Sequence, residues 1–147
     1  MQRKAKGNLG EAAAQRFLET RCGYRLVDAN VRFGAKSGLI GELDIVAWDG
    51  PTLCFVEVKT RYGRPRRAGE TPAEWVTLAK QRQIARLALA YAARNGLLEG
   101  RAGEEEIPLR FDVAAVYLPA DADEGSLCSV DLTRGAFSVP DDAFGGL

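Results

Sequence analysis

The chain contains no histidine. That one absence removes Ser-His-Asp and Cys-His nucleophiles, histidine general bases and histidine metal sites together. The cysteines Cys22, Cys54 and Cys128 are odd in number and form no CxxC pair. A disulfide framework and a zinc knuckle are therefore not indicated, and a reducing cytosol is the expected compartment. No GxGxxG, GxxxxGKS/T or GxSxG string occurs, so dinucleotide, P-loop and hydrolase-elbow readings lack support. Long apolar runs are missing as well. The longest, "LALAYAA" at 87–93, is far short of the ~20 residues that a bilayer-spanning helix needs. The start "MQRKAKGNLGEAAAQ" carries basic residues with no apolar segment behind them, so neither a targeting segment nor a membrane partner is expected. What these absences leave is a cytoplasmic protein whose chemistry rests on Asp, Glu, Lys or Arg.

What is present fits one domain spanning 1–147. The 147 residues are 46% hydrophobic and 27% charged, and a chain of this size buries roughly 68% of its unfolded surface. The formal net charge of zero hides a division: residues 1–101 carry 18 Lys+Arg against 10 Asp+Glu, and residues 102–147 carry 2 against 10. Such asymmetry suggests a polyanion-binding body followed by an acidic region, unless the charges are simply spread over a solvated surface.

Periodicity divides the chain into alternating elements. Asn8, Glu11 and the apolar spacing of Leu9, Ala12, Ala13, Phe17 and Leu18 predict a helix over about 9–22 with Gly23 as its stop. "YRLVDANVR" at 24–32 alternates as a strand, and "FGAKSG" reads as a loop. A hairpin follows in "GELDIVAWDGPTLCFVEVKTR" at 41–61. "RYGRPRRAGETP" lacks apolar periodicity and predicts a mobile surface loop. A helix is expected over 77–94, ended by Asn95-Gly96, then a strand over 109–118, an acidic loop at 119–126, a short strand over 126–132 and a tail at 138–147. The order α-β-β-β-α-β-β, with a hairpin apolar on both faces, argues an α/β fold with a mixed sheet between helices.

The hairpin is interrupted by charge at Glu42, Asp44, Glu57 and Lys59. Side chains alternate along a strand, so Glu42 and Asp44 share a face, as do Glu57 and Lys59 on the partner. If Asp49 to Thr52 form a four-residue connection, Trp48 pairs with Leu53, and the register sets Asp44 opposite Glu57 and Glu42 opposite Lys59. A two-residue Asp49-Gly50 turn would shift the register by two and leave the charges on the same face. Like charges directly opposite are destabilising. Two facing carboxylates repel or share a proton unless a cation sits between them, and Mg²⁺, which favours carboxylates, waters and phosphate oxygens, is the natural candidate. A network of structural charge pairs led by Glu42 and Lys59 is the alternative.

Asp44, followed after twelve residues by Glu57-Val58-Lys59, resembles the PD-(D/E)XK signature of restriction-endonuclease-like nucleases. More widely, the chain resembles the bacterial YraN-like family, which is similar to archaeal Holliday junction resolvases. The elements that carry this likeness are "GNLGEAAAQRFLE", "NVR" at 30–32, "GELDIVA", "FVEVKTR", Lys80, "RFDVAAVY" and "GAF" at 135–137. The residue before Asp44 is Leu43 rather than proline, a departure that costs no metal ligand. The resemblance implies a restriction-endonuclease-like, three-layer α/β/α fold around a central mixed sheet. It also implies Asp44 and Glu57 as metal ligands, Lys59 as the catalytic lysine, Glu11 as a further site residue, and Lys80 as a polar position on the second helix. Glu11 also fits a capping box with Asn8. Arg110 and Asp112 belong to the pattern and read as structural.

Together these expectations describe an endonuclease dependent on Mg²⁺ or Mn²⁺, acting on DNA, branched or structured DNA included. The metal would sit on Asp44, Glu57 and the Val58 carbonyl, with Lys59 positioning the nucleophile. The loop cations Arg61, Arg64, Arg66 and Arg67, with Lys80, are the expected nucleic-acid contacts. A homodimer is implied only by the similarity to junction resolvases. The competing class is a non-catalytic nucleic-acid-binding or protein-interaction module on the same fold.

Overall fold

The structure is a computed structural model, and it describes residues 3–34, 36, 38–97 and 106–139. Helix α1 spans Arg3–Thr20, and strands β1 (Arg25–Phe33), β2 (Gly41–Asp49) and β3 (Thr52–Tyr62) follow it. A 3-10 turn at Pro72–Trp75 leads to helix α2 (Leu78–Arg94), then strands β4 (Leu109–Leu118) and β5 (Ser129–Phe137). The five strands lie in sequence order in one sheet. Among the described residues only the β3–β4 pair is parallel, and α2 is the crossover that a parallel pair requires. The mixed sheet expected from the element order is therefore the one observed.

Each face of the sheet is covered by one helix because the central strands are apolar on both. On one side Ala13, Ala14 and Leu18 of α1 pack with Ile45, Ala47, Cys54, Val56, Ala114 and Val116. On the other, Ile84, Leu87, Ala88 and Tyr91 of α2 pack with Leu53, Phe55, Phe111 and Val113. β4, central and parallel, is buried from Phe111 to Leu118, as the unbroken apolar run of such a strand requires. Among the described residues no helix is long and apolar enough to cross a membrane.

At the start of β4 the fold buries one carboxylate. Asp112 is 0% exposed and receives Arg110 Nε at 2.8 Å, the Gly135 N–H at 2.9 Å and the Tyr24 hydroxyl at 2.8 Å. Arg110 also donates to Asp49 at 2.9 Å, so this clasp joins the ends of β2, β4 and β5 to the residue before β1. A buried charge with every lone pair satisfied is the arrangement that burial tolerates.

Four local expectations change. α1 begins at Arg3, so Asn8 lies inside the helix and the capping-box reading of Asn8 and Glu11 fails. The hairpin turn is Gly50-Pro51, with Asp49 and Thr52 themselves paired; the register through Trp48 and Leu53 is unchanged. β5 runs to Phe137 rather than stopping at 132, because Gly135, with φ 61°, bends the strand where its N–H turns to Asp112. The loop after β3 is tied to the body instead of free, through Arg66–Asp131 at 2.6 Å and Tyr117–Glu70 at 3.0 Å. The tail expected at 138–147 lies outside the described residues from 140 onward.

Candidate metal centre at the open end of the hairpin

The β2–β3 ladder zips from Asp49–Thr52 to Ile45–Val56 and ends there. Beyond that rung the backbone N–H of Val58 donates to Asp44 Oδ2 at 2.9 Å, so a side chain takes the place of the next strand contact. The strands part at this point. In an extended strand the N–H and C=O of one residue open to the same edge, which is why paired residues exchange both bonds. The Val58 carbonyl therefore opens into the same fork.

The carboxyls of Asp44 and Glu57 meet across the fork, each close enough to weigh on the other's ionisation. Burial pushes both carboxyls above their ordinary range, and each one's negative neighbours push further; Glu57 rises to about 7. Burial is the largest cause at both groups, and the negative charge of Asp44 adds to it at Glu57. Lys59 Nζ lies 3.9 Å from Glu57 Oε1. Lys80 reaches the same place from α2, where its positive charge favours ionisation of both acids.

Glu11 enters from the opposite face. α1 lies so close to β3 at Gly10 that a Cβ there would run into the Thr60 side chain, and this contact sets Glu11 beside the fork. Carboxylate oxygens of Glu11, Glu42 and Asp44 all lie within 4.8 Å of one another. Burial and then the charges of Asp44 and Glu42 hold the Glu11 carboxyl high, partly offset by a hydrogen bond from the Asn30 side chain. Asn30 has φ 53°, left-handed backbone inside a strand. Asparagine is among the few non-glycine residues that adopt that region readily.

The structure thus gathers Glu11, Asp44, Glu57, Val58, Lys59 and Lys80 around one fork. It separates the pair expected between Glu42 and Lys59: Glu42 instead sits 3.7 Å from Arg32, its neighbour across β1, because β2 has left β3 at that point. Glu42 is the acid that sequence reasoning left without a place, although its period-two relation to Asp44 put it on the right face. The expected loop contacts lie elsewhere. Arg61 stacks 4.0 Å over the Trp75 ring, Arg64 pairs with Glu70 at 3.3 Å and Arg66 with Asp131 at 2.6 Å, while the Arg67 N–H donates to Glu70 at 3.1 Å.

The donor set fits a hard divalent ion. It is all oxygen, and such ions take carboxylate and carbonyl oxygens in preference to other donors. A buried acid pair that carries a proton is what such a set becomes in the apo protein.

Residues 10–116 match the sequence profile of the Uncharacterised protein family UPF0102, the YraN-like family that the motifs resemble. A UPF0102 protein of Symbiobacterium thermophilum is 52% identical over 110 residues, covering 75% of this chain and 80% of that one. One from Acetivibrio thermocellus is 34% identical over 139 residues, 92% of each chain. Another, from Desulforapulum autotrophicum, is 40% identical over 138 residues, 94% of this chain and 97% of its own.

Proposed function

Since the chain belongs to the uncharacterised protein family UPF0102, which brings no activity with it, we propose from the site itself that the protein is a divalent-metal-dependent endonuclease. Its substrate on this reading is DNA, branched or structured DNA included. The observation that carries the reading is the meeting of Glu11, Glu42 and Asp44 within 4.8 Å, beside a buried Glu57 with a lysine 3.9 Å from it.

Asp44, Glu57 and the Val58 carbonyl would hold Mg²⁺ or Mn²⁺, with Glu11 and Glu42 completing the oxygen shell. A bound ion of this kind lowers the pKa of its water and offsets charge on the phosphoryl group. The chain's own residues do the rest. Glu57, whose carboxyl burial holds high, would have to be ionised to serve as a ligand, which would couple loading to pH. Lys59 presents an ammonium beside Glu57, where it orients the attacking water and balances the negative charge that grows on the phosphate. Lys80 adds a second cation from α2 for the same phosphate.

Purified protein with Mg²⁺ or Mn²⁺, offered linear, single-stranded, flapped and four-way-junction DNA, is expected to cut at least one and to stop in EDTA. Lys59→Ala is expected to lower cutting by about 10² or more while DNA binding stays close to wild type. Cutting at the wild-type rate by that variant would remove Lys59 from the mechanism. A wild type that cuts none of these with either metal would overturn the proposal.

A further inference from the structure

Beside the fork, α2 and the segment leading into β2 enclose a groove of about 670 Å³. Lys80, Arg82, Gln83 and Arg86 line its α2 wall, and Ile40 stands on the other. Gln83 Nε2 donates to the Ile40 carbonyl at 2.7 Å and fixes that wall. Gly41 allows the approach: a Cβ there would fall 2.6 Å from Gln83 Nε2. Ile40 is 71% exposed, an unusual position for a large apolar side chain held by an ordered backbone contact. Among the described residues lining the groove there is no carboxylate.

We propose that this groove seats an unpaired nucleic-acid strand and leads it to the fork. The rest follows from the two walls. Three cations on one wall and an apolar side chain on the other match a ligand that shows phosphates on one side and base or sugar faces on the other. A duplex keeps its bases stacked inside and offers phosphates on both strands, so it matches only the first wall. Lys80 to Arg86 is six residues, about 9 Å along a helix at 1.5 Å each, so the cations form a short row rather than a point. Lys80 is the junction, lining the groove while acting electrostatically on Asp44 and Glu57.

The proposal rests on the nuclease reading only for its choice of ligand, so the test is made without metal. Anisotropy of a labelled single-stranded oligonucleotide is followed in EDTA across a salt series, with a flap and a blunt duplex of the same sequence as further arms. Arg82→Ala with Arg86→Ala is expected to weaken single-strand binding and to lower the slope of log K against log salt by about 1.4, roughly 0.7 for each lost contact. Arg66→Ala with Arg67→Ala is expected to leave the slope unchanged. A photo-crosslinker at position 40 should attach to the oligonucleotide, which guards against a helix variant that merely loosens the fold. A groove variant that binds with the wild-type slope would overturn the proposal, and so would a loss confined to the loop variant. Blunt duplex binding as tightly as the single strand would overturn the commitment to an unpaired strand. A wild type that binds through the groove and never cuts with Mg²⁺ would support the groove and sink the nuclease reading alone.

Discussion

At Glu57, burial and the charge of Asp44 act in the same direction and lift the carboxyl from 4.5 to about 7. The sign of the linkage follows from that lift. Between the two values the folded protein holds a proton that the unfolded chain has lost, so stability falls as pH rises through this window. Below about 4.5 both states are protonated; above about 7 the destabilisation is complete. The metal-free protein should therefore show a melting temperature that declines across this window. Glu57→Gln should flatten the decline and add roughly 2 to 3 kcal/mol above it. Thermal melts of both proteins across the pH range decide this, and an identical slope in the variant would assign the titration to another group. Asp44 is less free to change. Its carboxylate supplies the acceptor that Val58 N–H needs at 2.9 Å, so asparagine, which keeps an acceptor, is the informative replacement there.

Among the elements, α1 carries its site residue through a contact made by a missing side chain. Gly10 lies against Thr60, and a methyl at that position must push the helix away or displace the threonine. Overpacking of this kind costs about 1 to 3 kcal/mol. Gly10→Ala is thus expected to lower the melting temperature and weaken Mn²⁺ binding through Glu11. Thr60→Ala in the same chain should restore both, and a double-mutant cycle measures the recovery. Additive effects would mean that the two side chains do not meet. The same contact explains what could be read from sequence and what could not. The apolar run of β4, the helical spacing of α2 and Asn95-Gly96 as its stop each act within a few residues, so both elements were legible. The facing of Asp44 and Glu57 followed from a hairpin register that the turn fixes locally. Glu42 and Asn30 were not placed, because the parting of β2 from β3 and the left-handed turn of Asn30 depend on neighbours distant in sequence. The end of β5 depends in the same way on Gly135 meeting Asp112.

On the scale of the whole molecule, the two ends of the sheet are built differently. At one end Asp112, Arg110, Tyr24 and Asp49 close around a buried charge. At the other, β2 and β3 have given up their mutual ladder, and like charges are brought together in the space between them. The fork also has a consequence for the order of assembly. The five rungs from Asp49–Thr52 to Ile45–Val56 join neighbours in sequence around a two-residue turn, contacts of the kind that form early because little chain must be closed. The fork is complete only when Glu11 of α1 and Lys80 of α2 arrive from far along the chain. Glu11 therefore joins the acids of the hairpin after the transition state for folding. Relief of its repulsion with Asp44 and Glu42 by Glu11→Gln should leave the folding rate as it is and slow unfolding, which stopped-flow chevrons would register in one arm alone. The carboxylates that equip the site thus set the lifetime of the empty protein, and leave the speed of its folding to the hairpin.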